Sequence, residues 1–203
     1  MRKKIVAIIG SYRKGGITDT AASAVLAGAA KNGAQTQKIY LIDKHIEFCN
    51  NCRACTQQDT NGVRAACIHD DDMEDILGQI DKADGIVLAS SVNFGTVTAI
   101  MKRFTERLVV YGYWPWGKPA PAYRISQTTK NAVIITSSAA PAIIGKFMFR
   151  SSRSVLKAAA RCMGAKMVKS LHFGGVCLDA DSQLSCKSLL KADKTGQKLA
   201  SSI

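Results

Sequence analysis

Short apolar runs alternate along the chain with longer segments in which apolar residues recur at the spacing of a helix. The short runs predict strands at residues 4–10, 36–42, 85–91, 131–137 and 166–173. The longer segments predict helices near residues 18–32, 71–83, 96–111, 147–163 and 180–200. All five strands are apolar through their centres, which is typical of strands covered on both faces. The pattern therefore predicts one α/β domain over residues 1–203, a three-layer sandwich with helices on both faces of a parallel sheet.

The connection after the first strand combines a glycine with hydroxyl and basic residues and leads directly into a helix. Gly10 allows a sharp turn, Ser11 and Thr18 offer hydroxyl groups, and Arg13 adds positive charge. The first turn of a helix has unpaired N–H groups and the positive end of the helix dipole, so it binds anions. The loop lacks the residue spacing of a nucleoside triphosphate or dinucleotide site. It indicates a site for a single phosphomonoester, and an ordinary polar connection is the alternative.

Two further loops of small and polar residues follow the third and fourth predicted strands. The first contains Val92, Asn93, Phe94 and Gly95, and the second contains Ser137 and Ser138. Since the carboxyl ends of parallel strands share one edge of the sheet, all three loops are expected to meet there. A ligand with its phosphate on the first helix is then expected to rest a flat ring against residues 92–95. An ordinary connection is again the alternative for each loop.

Composition and charge restrict the classes of function. The chain has 203 residues, a net charge of +13 and 47% hydrophobic residues. No apolar run reaches the ~20 residues that cross a bilayer, so no membrane partner is expected. The basic residues are scattered and have no aromatic ladder among them, which argues against nucleic acid and favours small anions or acidic partners. Seven cysteines, an odd number, with no secretory signal predict a cytoplasmic protein.

Cys49, Cys52 and Cys55 follow one another with two residues between consecutive cysteines, and Cys67 lies in the same segment. Thiolates are soft ligands that suit iron–sulfur clusters or zinc, and this spacing allows several sulfurs to surround one point. The alternatives are a zinc site formed by these cysteines, with or without His69 in place of one of them, and a loop in which the cysteines only pack.

The loops and the cysteine segment together resemble the flavodoxin-like family of NAD(P)H-dependent FMN reductases. The first loop matches the family at Gly10, Ser11, Arg13, Gly16 and Thr18. The second loop and its helix match at Ser90, Val92, Phe94, Gly95, Val97, Ala99, Lys102, Phe104 and Arg107. The cysteine segment resembles the compact motif of the iron-sulfur flavoprotein subfamily.

The resemblance implies a flavodoxin-like fold with the five-stranded order 2-1-3-4-5 and FMN as cofactor. The implied cofactor-binding residues are Ser11, Arg13, Gly16, Ile17, Thr18, Ser91, Val92, Asn93, Phe94, Gly95, Ser137 and Ser138. NAD(P)H is implied as a transient substrate whose hydride passes to the flavin and then to a quinone, a flavin or a nitroaromatic acceptor. Backbone N–H groups near Ser137 and Ser138 are expected to support the flavin, so no catalytic side chain is assigned.

Two other functions remain open at this stage. One is an electron carrier with a [4Fe–4S] cluster on Cys49, Cys52, Cys55 and Cys67, reduced by an acidic, ferredoxin-like donor. The other is a non-enzymatic protein that senses flavin or redox state. The family also implies a homodimer or homotetramer. The aromatic segment 109–123 is expected to close over the flavin, to contribute to such an interface, or simply to pack in the core.

Overall fold

A computed structural model describes residues 2–176 and 182–203. The strands are β1 (Lys4–Gly10), β2 (Gln35–Tyr40), β3 (Gly85–Asn93), β4 (Thr96–Val97), β5 (Gly112–Tyr113), β6 (Ala122–Tyr123), β7 (Lys130–Ser138) and β8 (Ala165–Gly174). The helices are α1 (Ile17–Lys31), α2 (Ala54–Gln57), α3 (Met73–Asp81), α4 (Ala99–Arg107), α5 (Ala142–Met148), α6 (Arg150–Cys162) and α7 (Cys186–Ser201). Short 3-10 turns span Leu41–Asp43 and Leu108–Tyr111.

The five long strands form a parallel sheet in the order β2-β1-β3-β7-β8. Counted among these five strands, this order is 2-1-3-4-5, so the prediction is confirmed. The first strand lies between β2 and β3, and its register pairs Ile8 with both Ile39 and Leu88. The two central loops of interest, after β1 and β3, are therefore neighbours at the carboxyl edge.

Two hydrophobic clusters cover the two faces of the sheet. Val6 and Ile8 of β1 belong to the cluster that holds side chains of α3, α4 and α6. Ile5, Ala7 and Ile9 belong to the cluster that holds side chains of α1 and α7. Successive side chains of a strand point to opposite faces, so β1 contributes to both cores. This confirms the predicted three layers.

Helices α1 and α7 approach each other so closely that backbone contacts backbone. A Cβ atom built on Gly28 would lie 2.0 Å from the carbonyl oxygen of Asp193, and one built on Gly196 would lie 1.8 Å from that of Val25. Only glycine fits at these two positions. The pair therefore fixes how α7 lies on the outer face of the sheet.

Several predicted boundaries were wrong, because tertiary pairing changed the local structure. The predicted helix 96–111 begins only at Ala99, since Thr96–Val97 pairs with the end of β3 and Thr98 caps the helix through its side chain. The same segment leaves the α-helix after Arg107 and continues as a 3-10 turn. The predicted strand 36–42 ends at Tyr40, because a 3-10 turn begins at Leu41.

The other differences concern helices. The predicted helix 147–163 is two helices separated at Phe149, so that Phe147 and Met148 of α5 are exposed while Leu156 of α6 packs in the core. The predicted helix 71–83 is limited to Met73–Asp81. The predicted last helix begins at Cys186, and residues 180 and 181 lie outside the described residues. Among the described helices, none combines the length and apolar character needed to cross a membrane.

Candidate functional site

The loops after β1, β3 and β7 meet in a cleft at the carboxyl edge of the sheet, which we call the strand-end cleft. Its volume is about 210 Å³. It is lined by Ser11, Tyr12, Arg13, Gly16, Ile17, Thr18, Ser91, Val92, Asn93, Ser137, Ser138 and Ala139. Ten of the twelve residues suggested as cofactor-binding by the sequence are in this list, and the structure brings them together. Tyr12 and Ala139 are the two that the sequence did not indicate.

Three hydroxyl groups tie the loops of the strand-end cleft to one another. Thr18 Oγ1 lies 2.9 Å from Ser91 Oγ and 2.7 Å from Ser137 Oγ, within hydrogen-bond distance of both. Thr18 is only 2% exposed. Each hydroxyl can donate one hydrogen bond and accept others, so the cluster can also offer donors to a ligand.

The first turn of α1 borders the strand-end cleft and has the free backbone groups that an anion needs. Its N-cap, Gly16, provides no side-chain cap. The first hydrogen bond of the helix runs from Thr20 N–H to Gly16 O, so the N–H groups of residues 17–19 have no partner within the helix. The helix dipole adds positive potential at this end. The geometry therefore suits a phosphate.

Asp19 places a buried carboxylate in the same turn, and Lys38, which does not line the strand-end cleft, neutralises its charge. Its oxygens accept hydrogen bonds from Gly15 N–H (2.7 Å), Lys38 Nζ (2.7 Å) and Tyr40 Oη (3.2 Å). Burial acts to raise the pKa of Asp19, but the bonds to Lys38 and Gly15 outweigh it and lower that pKa below its ordinary value. Asp19 therefore stays ionised and holds the loop in place.

Two buried hydroxyl residues fix the start of the first loop. Gly10 O accepts a hydrogen bond from Thr98 Oγ1 (2.8 Å), and Thr98 N–H donates to Ser90 Oγ (3.2 Å). A Cβ atom on Gly10 would lie 2.7 Å from Met101 Cβ, so helix α4 requires glycine at this position. Gly10 is thus needed for close packing as well as for the turn.

Phe94 and Gly95 form the tip of a two-residue hairpin between β3 and β4 and do not line the strand-end cleft. Both have positive φ angles, 45° and 81°, as a type I′ turn requires. The side chain of Phe94 is fully exposed, and Gly95 O accepts a hydrogen bond from Ser151 Oγ (2.5 Å). The hairpin therefore keeps these two residues out of the lining of the cleft, and their contact with a ring stays a prediction.

His172 lies beside the strand-end cleft, a position that the sequence analysis did not predict. Its Nδ1 is 2.9 Å from Thr136 Oγ1 and its Nε2 is 3.3 Å from Ser138 Oγ. Burial lowers the pKa of His172, which favours the neutral ring. The imidazole therefore orients Ser138 from β8, a contact between positions 34 residues apart.

The four cysteines of the predicted metal motif line a second, smaller cavity of about 80 Å³, which we call the cysteine cavity. Its other lining residues are Asn50, Asn51, Arg53, Thr56, Ile68, His69, Arg107, Val109 and Trp114. Asn51 and Arg53 have φ angles of 56° and 62°, which curl the backbone between Cys49 and Cys55. Such angles are uncommon for residues other than glycine, and they cluster at functional sites.

The neighbouring thiols influence one another in the cysteine cavity. Burial raises the pKa of the Cys55 thiol, and Cys67, Cys49 and Cys52 raise it further. Within residues 2–176 and 182–203, no three Cys, His, Asp or Glu side chains are grouped so as to hold one metal ion. The zinc alternative therefore has no support from the geometry. A four-iron cluster separates its ligands more widely than one ion does, because each thiolate binds a different iron.

Buried polar atoms without partners are concentrated at this cavity. Five such side-chain atoms occur in the described part of the chain, and three of them are Arg53 Nε, His69 Nε2 and Arg107 Nε. All three residues line the cysteine cavity. A buried donor without an acceptor costs about 1–3 kcal/mol, so a bound group that accepts hydrogen bonds would stabilise this cavity.

The aromatic segment covers the cysteine loop instead of the strand-end cleft. The Arg53 guanidinium is sandwiched between the rings of Trp114 (4.1 Å) and Trp116 (3.9 Å), and Nη2 donates to Trp114 O (2.6 Å). Tyr111 is buried in the core, where its hydroxyl donates to Asp81 (2.7 Å). Within one chain the two tryptophans therefore form a cation–π stack that holds the cysteine loop, and neither lines the strand-end cleft.

Comparison with known proteins identifies a family and several relatives. Residues 3–168 match the family model described as NADPH-dependent FMN reductase. An iron-sulfur flavoprotein of Archaeoglobus fulgidus is 32% identical over 112 residues, 55% of this chain and 48% of the relative. One of Methanosarcina thermophila is 34% identical over 107 residues, 53% of each chain. The chain thus spans about half the length of the curated relatives it matches.

A solved NAD(P)H:quinone oxidoreductase from Methanothermobacter marburgensis superimposes with a TM-score of 0.74 at 18% identity, covering 98% of this chain and 100% of the other. At that identity the likeness concerns the fold, which agrees with the predicted architecture. The family model covers most of the chain and includes all of the strand-end cleft and the cysteine cavity. The chain therefore belongs to the NADPH-dependent FMN reductase family.

Proposed function

We propose that the protein is an FMN-dependent NAD(P)H oxidoreductase that passes reducing equivalents to a small acceptor such as a quinone, a flavin or a nitroaromatic compound. The observation that carries the proposal is the strand-end cleft, where the free first turn of α1 meets the hydroxyl cluster of Thr18, Ser91 and Ser137. The family supplies FMN and NADPH as the ligands that suit such a cleft. The residues present fit the phosphate, since buried hydroxyls and unpaired amides are its usual partners.

The proposed roles follow from where each residue lies. Ser11, Gly16, Ile17 and Thr18 would hold the phosphate, with Arg13 at the rim contributing charge. Ser91, Val92 and Asn93 would form one wall for the ring, and Ser137 and Ser138 the other. When bound, FMN would accept a hydride from NAD(P)H and give up electrons to the acceptor. The chain supplies binding, orientation and hydrogen-bond donors near the ring.

The test is a titration of the purified chain with FMN, followed by NADPH under anaerobic conditions. Quenching of flavin fluorescence, bleaching of the visible flavin band by NADPH and its return on addition of a quinone would support the proposal. Binding of FMN without bleaching by either NADPH or NADH would favour the redox-sensing alternative. Absence of FMN binding would contradict both.

We also propose that the protein works as a homo-oligomer, in which a second copy covers an apolar surface beside the strand-end cleft. This surface, the α5 patch, consists of Ile143, Ile144, Phe147 and Met148, which are 52–78% exposed, together with the hairpin tip at Phe94. Exposed apolar surface of this kind usually marks an interaction site. Since α5 follows β7 by only a few residues, the covered surface would adjoin Ser138 and Ala139 of the cleft.

The double substitution Ile143→Glu and Phe147→Glu is expected to convert the oligomer into a monomer, because it would bury two charges in each copy of an apolar interface. Analytical ultracentrifugation at micromolar concentration measures the result. Leu190→Glu is the matched control, since Leu190 is also an exposed apolar residue but lies on α7. A wild-type chain that is already monomeric under these conditions would contradict the proposal.

A second candidate function is electron transfer through a [4Fe–4S] cluster in the cysteine cavity. The observation that favours it is that all four thiols and three unpartnered buried polar atoms line the same cavity. Four thiolates are the usual ligand set of such a cluster, and N–H donors near its sulfurs are common. The six described cysteines are all free, as a reducing cytoplasm would keep them. The net charge of +13 would suit an acidic, ferredoxin-like donor.

Iron and labile sulfide are to be measured on protein purified or reconstituted under anaerobic conditions. About four of each per chain are expected for a bound [4Fe–4S] cluster. Cys52→Ser should abolish binding, while Cys186→Ser, an exposed cysteine on α7, should leave it unchanged. Values near zero in the wild-type chain would remove this candidate and leave the reductase proposal intact.

A further inference from the structure

Arg107 is a fully buried cation at the end of α4, only 2% exposed. Arginine is rarely buried unless it is paired, and here the partner is Asp71, whose side chain has no exposed surface. Nη1 donates to Asp71 Oδ2 (2.5 Å) and to Glu47 O (2.8 Å), and Nη2 donates to Asp71 Oδ1 (3.3 Å). This pair holds the guanidinium in one orientation.

The pairing does not use the Nε–H group. Arg107 Nε is buried without a hydrogen-bond partner, while Arg107 itself lines the cysteine cavity. Burial acts to lower the pKa of Arg107, but the bond to Asp71 and the neighbouring Cys67 sulfur raise it above its ordinary value. Asp71 does not line the cavity. The side of the ion pair that faces the thiols is thus the positive one.

We propose that Arg107 is the electrostatic partner of an anionic iron–sulfur cluster in the cysteine cavity, donating Nε–H toward it and raising its reduction potential. The inference rests on the second candidate function above. Reduction adds one negative charge to the cluster, and a fixed cation in a buried site stabilises the more negative form. Asp71 and Glu47 O act on Arg107 as positioning groups, because they fix the guanidinium without reaching the cavity themselves.

A merely structural ion pair would show different behaviour. Arg107 also joins the segment before α3 to the end of α4, so its loss is expected to affect stability in either case. A structural role alone would leave the potential of a bound cluster unchanged. The reduction potential is therefore the readout that separates the two roles, independently of any activity of the loaded protein.

The experiment is a redox titration of the full chain, reconstituted anaerobically with iron and sulfide and followed by the EPR signal of the reduced cluster. Arg107→Gln is expected to lower the ratio of reduced to oxidised cluster at a fixed ambient potential by at least about tenfold, which is about 59 mV for a one-electron couple. Arg107→Lys should recover part of this shift, because it restores the charge without the planar fork. Lys102→Gln is the matched control, since it removes one positive charge from an exposed position of the same helix.

The double variant Arg107→Gln with Asp71→Asn covers the case in which the single variant fails to fold. It replaces a buried ion pair with two neutral amides of similar shape, a change that folded proteins often tolerate. A smaller shift of the same sign is expected, because the removed cation lies nearer the cavity than the removed carboxylate.

The outcomes are distinguishable. A cluster in the wild type whose potential is the same in Arg107→Gln, or in the double variant, overturns the role of Arg107 and leaves the cluster proposal standing. A shift of equal size in Lys102→Gln also overturns it, since the effect would then be nonspecific. Absence of iron and sulfide in the wild type overturns both the second candidate function and this inference.

Discussion

Ser11→Asp is expected to weaken the binding of FMN by at least about 100-fold, or ~2.8 kcal/mol, because it would place a carboxylate against the phosphate. Ser11 is 6% exposed and lines the strand-end cleft, so water would screen the repulsion poorly. Its hydroxyl also accepts a hydrogen bond from Arg13 N–H (3.3 Å), which helps to shape the loop. The measurement is the dissociation constant from flavin fluorescence quenching, for FMN and for riboflavin.

Ser11→Asn is the matched control, since asparagine has the size of aspartate without its charge. It is expected to weaken FMN binding by less than about tenfold. Riboflavin, which lacks the phosphate, should bind both variants with similar affinity. Equal effects of Ser11→Asp on FMN and riboflavin would contradict the assignment of the first turn of α1 as the phosphate site.

Gly196→Ala is expected to lower the free energy of unfolding by about 3 kcal/mol or more, the upper range for forcing a methyl group into a packed site. The added Cβ would meet the backbone of Val25 and Ala29, at 1.8 Å from a carbonyl oxygen and 2.9 Å from an amide nitrogen. Backbone atoms cannot rotate away as a side chain can, so α1 and α7 would have to separate. For a chain of this size, the melting temperature should fall by about 6–12 °C.

Gly78→Ala serves as the control for that stability measurement. Gly78 lies inside α3, and a Cβ atom there would meet nothing within 4 Å. The substitution should therefore stabilise the protein by about 0.5–1 kcal/mol, since alanine loses less backbone freedom on forming a helix. Thermal or urea unfolding of the two variants gives the comparison. Similar stability changes at Gly196 and Gly78 would show that the helices do not pack as closely as described.

The strand-end cleft could be predicted from the sequence because its residues come from loops that follow apolar strands. The parallel arrangement places the ends of β1, β3 and β7 at one edge of the sheet. Once each strand was predicted correctly, Ser11, Asn93 and Ser137 could therefore be placed in the same cleft. The same reasoning grouped Phe94 and Gly95 with these residues. It did not anticipate that Thr96–Val97 would pair with β3 and place residues 94 and 95 at a hairpin tip, outside the lining of the cleft.

The cysteine cavity was only partly predictable. The spacing of the cysteines indicated shared ligands, but nothing in the local sequence linked Arg107 to Asp71, 36 positions away, or Arg53 to Trp114, 61 positions away. Asp71 stands at the start of the predicted helix 71–83, where an acidic residue also stabilises the helix dipole. Its actual partner is a guanidinium, and its Oδ1 also accepts a hydrogen bond from Met73 N–H (3.0 Å).

The sequence by itself determined the strands, their burial on both faces, the strand order through the family resemblance, and the loops that form the strand-end cleft. The strands and the loops depend on local patterns, because the spacing of apolar residues and the turn chemistry at each strand end act over a few neighbouring positions. The strand order came from the resemblance alone. Only the tertiary structure decided the break at Phe149, the outward hairpin at Phe94 and the contacts of Arg53, Arg107 and His172. Such contacts join residues distant in the chain, and their partners are chosen by how whole helices and strands pack.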